Sequence, residues 1–385
     1  MPENSSLRIK NIKLKDFRNY SNFILETDSE IIFLTGQNGS GKTSILEAVS
    51  MAGTLRSFRK GSDKDMIKWG LPFYTIDLEY VENDEINKLH LGYGRPLEQE
   101  KISRSLSFNK EKINKVSDFV GKFQMVVFSP DDIEIIDTTP AERRRFIDIT
   151  LSSLDTKYIN SLQKYKKALQ LRSFIFKNNK NKPVDKNYLA SIDSEMIPAG
   201  MYIQEKRNEF IKQFQPYFEK YVSLISNGKD KWQISYNPSL KDMRTTEDYK
   251  SILQNSLSDD IRLCKTNKGC HLDRLLFHMP GKPSLELKQT ASQGQKRTVA
   301  LALKMAQFSY AKETSHKTPV CLIDDVLNEL DKERRFSFLD FLSEIGQAII
   351  TTTDMSGLGA FQEKMQNKGN ISVYEIDNSS LKKIN

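Results

Sequence analysis

Hydrophobic and polar positions near the start of the chain alternate with the period of two that is typical of β-strands. The alternating apolar residues form three groups, Leu7 and Ile9, Ile12 and Leu14, and Phe23 and Leu25. The continuous apolar run at 31–34 predicts a buried strand. Strand-like segments at 75–80, 88–93 and 123–128, broken by Asn, Gly and Pro, predict a β-rich subdomain after it.

Between about residues 131 and 260 the pattern becomes that of long helices with few glycines. At its start, Thr139 suits an N-cap, Pro140 suits the first helical position, and Glu142 can complete a capping box. Alternating strands and helices resume at about residue 285, with 320–323 and 348–351 as apolar strands. We therefore predict an α/β fold in three segments: 1–130, an inserted helical domain at 131–268, and 269–385.

Composition narrows the classes of protein to consider. The 385 residues carry a net charge of +8, which favours a polyanionic partner such as nucleic acid. The three cysteines are too few and too irregularly spaced for a disulfide framework, which fits a reducing compartment. No apolar stretch is long enough for a membrane span, and the first residues lack the apolar core of a secretory signal. We expect a cytoplasmic protein without a membrane partner.

A glycine-rich loop follows the strand predicted at 31–34 and precedes a segment with helical spacing. Its residues are Gly36, Gln37, Asn38, Gly39, Ser40, Gly41, Lys42 and Thr43. In such a P-loop the backbone N–H groups face the β- and γ-phosphates of a nucleotide, the lysine neutralises phosphate charge, and the hydroxyl of Thr43 can ligate Mg²⁺. The context of strand, loop and helix predicts an ATP and Mg²⁺ site.

Two further motifs complete the predicted nucleotide site. The apolar strand at 320–323 delivers Asp324 and Asp325, which suits a Walker B element: Asp324 would hold Mg²⁺ through water, and Asp325 would orient or deprotonate the attacking water. Ser292, Gln293, Gly294 and Gln295 look like the ABC signature loop, with a helix expected from about Thr298 to Ser309. In that family the loop contacts ATP held by a second protomer, so the resemblance implies an ATP-dependent homodimer. Residues 328–331 resemble the D-loop at the same dimer interface.

Six motifs in the same order resemble the RecF family and span nearly the whole chain. They are residues 14–20, 36–48, 128–132, 143–148, 292–295 and 324–331. The resemblance implies an ABC-type P-loop ATPase head, a mixed sheet with flanking helices plus an antiparallel β subdomain, with an inserted helical arm. The implied ATPase head is related to the heads of Rad50 and SMC proteins. The resemblance also implies ATP-dependent binding of single-stranded or gapped DNA in replication and recombinational repair. The same resemblance implies support of recombinase loading and the SOS response with mediators of the RecO/RecR type, and weak DNA-stimulated hydrolysis of ATP. We expect this hydrolysis to be slow, because residues 351–354 lack the histidine that ABC proteins commonly place after the strand that follows Walker B.

The chain departs from the family pattern in one place and leaves several alternatives open. The family usually has Gly-Pro-His-Arg-Asp-Asp where this chain has residues 269–274, so Leu272 replaces an arginine, and Arg274 could substitute from two positions away. A zinc site from Cys264, Cys270 and His271 lacks the usual spacing and a fourth ligand.

The DNA-binding residues are the least determined part of the prediction. Residues 143–145 are three consecutive arginines, but consecutive helical residues point about 100° apart, so local ion pairs are an equal alternative to a phosphate track. Two other classes of protein also remain open: a transporter ATPase subunit, and another head-only member of the Rad50/SMC group.

Overall fold

The computed structural model describes residues 5–95, 102–178, 183–241, 243–342, 345–353, 355, 359, 370–377 and 379–384, with the backbone alone at 283 and 284. Its strands are β1 (Ser5–Phe17), β2 (Tyr20–Glu26), β3 (Ile31–Thr35), β4 (Phe73–Glu82), β5 (Glu85–Gly94), β6 (Ser103–Phe108), β7 (Glu111–Lys112), β8 (Met125–Phe128), β9 (Gln233–Asn237), β10 (Arg274–Met279), β11 (Lys282–Glu286), β12 (Lys317–Thr318), β13 (Val320–Asp324), β14 (Ala348–Thr352), β15 (Ile371–Asp377) and β16 (Ser380–Lys383).

The α-helices are α1 (Lys42–Thr54), α2 (Val116–Phe119), α3 (Glu134–Asp137), α4 (Pro140–Leu154), α5 (Thr156–Asn178), α6 (Lys186–Ile225), α7 (Thr246–Asn255), α8 (Leu257–Leu263), α9 (Leu287–Thr290), α10 (Gln293–Ser315) and α11 (Lys332–Leu342). Short 3-10 turns lie at Asp63–Met66, Pro130–Ile133, Cys270–Leu272 and Val326–Glu329. Within the described part of the chain, no helix has both the length and the apolar character that crossing a bilayer requires.

The chain forms two compact units. The first comprises Met1–Ile133, Lys220–Asp230 and Arg297–Asn385, and the second comprises Glu134–Glu219 and Lys231–Lys296. These units differ from the predicted segments, because residues 220–230 belong to the first unit and residues 269–296 to the second. Two long helices, α6 and α10, each contribute residues to both units.

A mostly antiparallel sheet, in which only the short pairing of β12 with β1 is parallel among the described strands, forms one layer of the first unit. Its order is β12-β1-β4-β5-β6-β7, and β2 also pairs with β1. The pairing of β1 with β4 shifts register between Ile9 and Asn11. A bulge of this kind adds one residue and restores the same face to the sheet. It therefore explains why the buried positions of β1 skip from Ile9 to Ile12, between the alternating pairs Leu7 and Ile9, and Ile12 and Leu14.

A second sheet contains β3, which precedes the glycine loop, and β13, which ends at Asp324. Its order is β16-β15-β3-β14-β13-β8, and all neighbours except β15 and β16 run parallel. Every residue of β13 and β14 is buried, which is why both strands begin as continuous apolar runs and carry polar residues only at their carboxyl ends. Helix α1 contacts strands of both sheets and buries Ile45, Leu46 and Val49 in their shared core. In parallel sheets, ligands bind at the carboxyl ends of the strands, and β3 leads into the glycine loop at that edge.

The second unit is mainly helical, as predicted, but it also contains a small sheet. Strand β9 pairs with β10, and β10 with β11, so the expectation of an all-helical segment up to 260 is wrong at Gln233–Asn237. Thr139 is the N-cap of α4 and Pro140 its first residue, as predicted. The Thr139 side chain makes no capping hydrogen bond, so the predicted capping box is wrong.

Buried ion pairs link distant segments within the second unit. Arg172 is fully buried and donates to Asp260, which is also fully buried, at 3.1 Å. Arg207 donates to Asp148 at 2.8 Å and to Asp273 at 2.9 Å. A buried charge is tolerated only when it is paired and hydrogen-bonded, so these arginines and their aspartates depend on one another.

Candidate functional site

The glycine loop connects the end of β3 to the start of α1, and two of its glycines are required by close contacts. Gly36 has φ +140°, and a Cβ there would lie 2.3 Å from the carbonyl oxygen of Ile376. Gly41 has φ +112°, and its Cβ would lie 2.6 Å from both Asn19 Nδ2 and Tyr20 Oη. The loop can therefore keep this path only without side chains at these positions.

Lys42 is the first residue of α1 and points back into the loop. Its ammonium donates to the carbonyl oxygens of Gly36 at 2.6 Å and Gln37 at 2.8 Å. Burial lowers the pKa of Lys42, while the charges of Asp325 and Asp324 oppose that shift. The positive charge is thus held at the N-terminus of a helix, where phosphate also finds unpaired backbone N–H groups.

The hydroxyl of Thr43 meets the carboxylate of Asp324 although the two residues lie 281 positions apart. Thr43 Oγ1 donates to Asp324 Oδ1 at 2.8 Å. From the neighbouring strand β14, Thr351 Oγ1 donates to the same oxygen at 2.9 Å. Burial raises the pKa of Asp324, and the two hydroxyl hydrogen bonds oppose that shift. The structure therefore brings the predicted Walker A and Walker B residues together at one edge of the parallel sheet.

Asp325 directly follows β13 and has an unusual backbone. Its φ is +53°, in the left-handed region that a residue other than glycine seldom adopts. Its N–H donates to Thr351 Oγ1 at 3.0 Å, and its carboxylate accepts from Asn328 Nδ2 at 2.6 Å. Asn328 also donates to Thr353 Oγ1 at 3.2 Å. These contacts hold the Asp325 carboxylate in one orientation beside the loop, as a base that activates water requires.

The turn between β1 and β2 supports the glycine loop, a role that the sequence did not reveal. Arg18 donates through Nε and Nη2 to the two carboxylate oxygens of Glu47, each at 2.8 Å. Glu47 lies on α1 and is fully buried. Asn19 Nδ2 donates to Ser379 Oγ at 2.8 Å and to the carbonyl of Ser40 at 3.4 Å. Residues 14–20 thus fix the position of the loop and of α1.

A cleft of about 760 Å³ opens beside the loop. Its lining residues all belong to the first unit and are Arg18, Asn19, Asn38, Gly39, Gly41, Lys42, Thr43, Ser44, Arg59, Lys64, Asp65, Ile67, Trp69, Asp325 and Thr351. The volume lies within the range of about 300–1,000 Å³ that is usual for small-molecule sites. Sequence reasoning missed Arg59, Lys64 and Trp69, because they belong to no motif and reach the cleft only through the packing of the 56–70 segment.

The signature residues lie in the second unit. Helix α10 begins at Gln293 rather than near Thr298, so Gln293, Gly294 and Gln295 form its first turn instead of a preceding loop. Ser292 and Gln295 cap each other: Gln295 N–H donates to Ser292 Oγ at 3.3 Å, and Ser292 N–H donates to Gln295 Oε1 at 3.0 Å. Ser292 and Gln293 remain exposed. They present a helix N-terminus, a position that favours anions.

The family motif at residues 128–132 contacts helix α10. Asp132 accepts from the Ser129 N–H at 2.8 Å and lies 3.8 Å from Lys304 Nζ. Burial raises the pKa of Asp132 and lowers that of Lys304, and the two charges oppose both shifts. Residues 128–132 are therefore anchored to α10 within the first unit.

The arginine cluster at 143–145 is mostly internal. Arg143 is buried and donates to the carbonyls of Leu275 and Ile136, each at 2.9 Å. Arg144 donates to the carbonyl of Asp273 at 2.7 Å. The alternative of local contacts is thus supported for these two arginines. Arg145 pairs with Glu142 at 3.6 Å.

The segment that departs from the family pattern has a buried aspartate between two exposed residues. Leu272 is exposed, and so is Arg274 at the start of β10, whereas Asp273 is fully buried against Arg207. His271 Nε2 faces the carbonyl of Thr266 at 2.9 Å, and its Nδ1 faces the hydroxyl of Tyr165 at 2.9 Å. Both ring nitrogens are thus engaged, and no cluster of three metal-ligating side chains occurs among the described residues.

Comparisons with known proteins agree with these motifs. The family model of the RecF/RecN/SMC N terminal domain matches residues 8–378. The DNA replication and repair protein RecF of Leptospira interrogans serogroup Icterohaemorrhagiae serovar Lai is 36% identical over 363 residues, which cover 94% of this chain and 96% of that protein.

Solved structures extend the likeness to the fold. The recombination mediator protein RecF-ATP in the RecFOR pathway is 27% identical, with a TM-score of 0.87 over 100% of this chain and 99% of that chain. The Smc head domain of Pyrococcus furiosus, bound to the C-terminal domain of ScpA, shares the fold at 18% identity and a TM-score of 0.50, over 98% of this chain and 96% of that chain. The predicted α/β fold of the ABC-type ATPase heads is thereby confirmed. The chain belongs to the RecF family.

Proposed function

We propose that this protein is an ATP-dependent DNA-binding protein of replication and recombinational repair, in which ATP acts as a switch. The observation that carries the proposal is that Lys42, Thr43 and Asp325 line one cleft and that Asp324 accepts a hydrogen bond from Thr43 there. The family relationship supports the biological setting, because a relative is named as a DNA replication and repair protein and another was solved with ATP.

The donor set of the cleft fits Mg²⁺. The hydroxyl of Thr43 and the carboxylate of Asp324 are hard oxygen donors 2.8 Å apart, and Mg²⁺ usually takes one or two protein oxygens together with phosphate and water. Bound there, Mg²⁺ would neutralise charge on the β- and γ-phosphates. Lys42 would exchange its loop carbonyls for phosphate oxygens, and Asp325, held by Asn328, would orient the attacking water and accept its proton. We expect slow, DNA-stimulated hydrolysis.

ATP binding should bring two copies of the chain together. In ABC-type proteins the signature motif contacts the nucleotide of the partner protomer, and here Ser292 and Gln293 stand exposed at the N-terminus of α10. We infer that Ser292, Gln293, Gly294 and Gln295 of one copy cap the triphosphate in the other. The dimer would then form only with ATP and would separate after hydrolysis.

DNA should bind to the closed dimer through its phosphates. The net charge of +8 supports electrostatic contacts without base readout. We therefore propose single-stranded or gapped duplex DNA as the ligand, with affinity that falls steeply as salt rises. Mediators of the RecO/RecR type are the proposed protein partners in recombinase loading and the SOS response, in the cytoplasm.

The test is binding of labelled gapped duplex DNA at fixed moderate salt, with and without Mg-ATP. It compares the unmodified protein with Ser292→Arg, which places a bulky cation in the proposed dimer contact. Ser223→Arg is the matched control. Ser223 is exposed on α6, so this substitution adds the same charge at a site outside the proposed dimer contact. We expect ATP to strengthen DNA binding in the unmodified protein and the control, and the gain to vanish in Ser292→Arg. An affinity for DNA that does not change with ATP, or that is the same at low and high salt, would contradict the proposal.

A further inference from the structure

Trp69 is almost completely exposed, although it lies at the nucleotide cleft. Its relative exposure of 98% is the highest among the large apolar side chains of the described residues. Tryptophan is normally buried in large part, because its ring carries about 150–250 Å² of mostly apolar surface. A ring left open at the rim of a binding cleft is therefore a surface that an aromatic ligand can cover.

The backbone on both sides of Trp69 is held by hydrogen bonds, so the ring stands on an ordered turn. Lys68 N–H donates to the carbonyl of Asp16 at 2.8 Å, and Leu71 N–H donates to the carbonyl of Lys68 at 3.0 Å. Gly70, at φ +80°, supplies the left-handed residue that such a turn needs. The Lys68 ammonium donates to the carbonyl of Asn19 at 3.3 Å, which ties the turn to the β1–β2 connection beside the glycine loop.

The cleft has two chemically different parts. Lys42, Thr43 and the loop backbone supply charge and hydrogen-bond donors, which suit a triphosphate. Ile67 and Trp69 supply apolar surface in the same cleft, and the Ile67 side chain packs on the core of the first unit. A nucleotide has the matching division into an anionic chain and a flat aromatic base.

We propose that Trp69 is the stacking platform for the purine base of the nucleotide whose phosphates bind the glycine loop. This inference rests on the proposed function, since it assumes that the loop holds a nucleotide. A base of DNA could also stack on an exposed indole. The nucleotide's own base is favoured because Trp69 lines the same cleft as Lys42 and Thr43.

The experiment measures the binding of Mg-ADP and of Mg-tripolyphosphate, which lacks a base, by calorimetry without DNA. The variants are Trp69→Ala, Trp69→Phe, and Leu71→Ala as a control in the same turn. We expect Trp69→Ala to raise the Kd for Mg-ADP about tenfold, from the usual worth of one base–aromatic stack. The Kd for Mg-tripolyphosphate should stay within about twofold, Trp69→Phe should recover most of the loss, and Leu71→Ala should match the unmodified protein.

Fluorescence gives a second readout. The chain has two tryptophans, and the other, Trp232, is buried with 2% exposure. ADP should therefore quench the emission of the unmodified protein but not that of Trp69→Phe.

The outcomes separate this inference from the function on which it rests. If the unmodified protein binds neither ADP nor tripolyphosphate, the proposed function fails and the inference with it. If it binds both and Trp69→Ala binds ADP equally well, the inference alone is overturned. Equal losses for ADP and tripolyphosphate would also overturn it, because they would mean a structural role for Trp69. So would a loss of DNA binding without a change in ADP affinity.

Discussion

Removing one partner of the ion pair between Arg18 and Glu47 should destabilise the first unit strongly, whereas removing both partners should cost less. Glu47 is fully buried on α1, and the Arg18 side chain retains 24% exposure. Two hydrogen bonds of 2.8 Å join them, and the hydroxyl of Ser57 also donates to Glu47. Removing one partner of a buried pair costs about 3–5 kcal/mol, because the remaining charge is left in an apolar setting. Since Ser57 stays in place, Arg18→Met should cost about 3 kcal/mol, the lower end of that range.

The reciprocal change should be milder. In Glu47→Leu the guanidinium keeps its hydrogen bond to the carbonyl of Asp65, at 3.0 Å, and can reach water. We expect a cost of about 2 kcal/mol, typical of an incompletely satisfied polar group. The double variant Arg18→Met/Glu47→Leu leaves no buried charge, so it should lose only about 1–2 kcal/mol.

The assay is urea unfolding followed by far-ultraviolet circular dichroism for the unmodified protein, both single variants and the double variant. The four free energies of unfolding form a double-mutant cycle, and the two single losses exceed the double loss by an expected coupling energy of about 3–4 kcal/mol. If the two units unfold in separate transitions, the shift should appear in only one of them, since both residues lie in the first unit. A double variant that loses the sum of the two single losses would refute the reasoning, and so would an Arg18→Met variant within about 1 kcal/mol of the unmodified protein.

Three further predictions concern pH, catalysis and thiol chemistry. Burial lowers the pKa of His271 below its ordinary 6.5, so its neutral ring stabilises the fold above that pH. This contribution should be lost as pH falls from 6.5 through the folded pKa, and His271→Asn should flatten that slope in urea unfolding at a series of pH values. Asp325→Asn should keep ATP binding and block hydrolysis, so the ATP-bound dimer should persist. Light scattering at saturating ATP measures its mass, and a monomeric variant would contradict the proposed ATP-dependent dimer. Burial raises the pKa of Cys270 to about 12 and also raises that of Cys321, whereas Cys264 is partly exposed. A disulfide reagent should therefore label Cys264 first and the other two only in urea, and rapid native labelling of Cys270 would count against its burial.

Local features of the sequence were enough to predict the nucleotide-binding elements. The apolar run of β3, the glycine loop and the helical spacing of α1 are adjacent in the chain, so their periodicity and glycine positions specify them without distant contacts. The apolar strand before Asp324 is predictable for the same reason, because a strand buried on both faces is a continuous apolar run. Family motifs then predicted which elements belong to one site.

Only the tertiary structure decided how distant residues meet. The motifs placed Thr43 and Asp324 at one Mg²⁺ site, but their direct hydrogen bond across 281 positions forms because β14 pairs with both β3 and β13. Tertiary packing likewise decided the contact between Arg18 and Glu47, and the exposure of Trp69, which depends on how the turn packs rather than on its own sequence.

Two errors in the sequence reading have the same physical origin. Strand β9 forms because β10 offers it a pairing edge from a later part of the chain. Helix α10 begins five residues early because Ser292 and Gln295 cap each other. Sequence periodicity reports which face of a segment is buried, whereas pairing edges, caps and buried charges depend on what the rest of the fold places beside it.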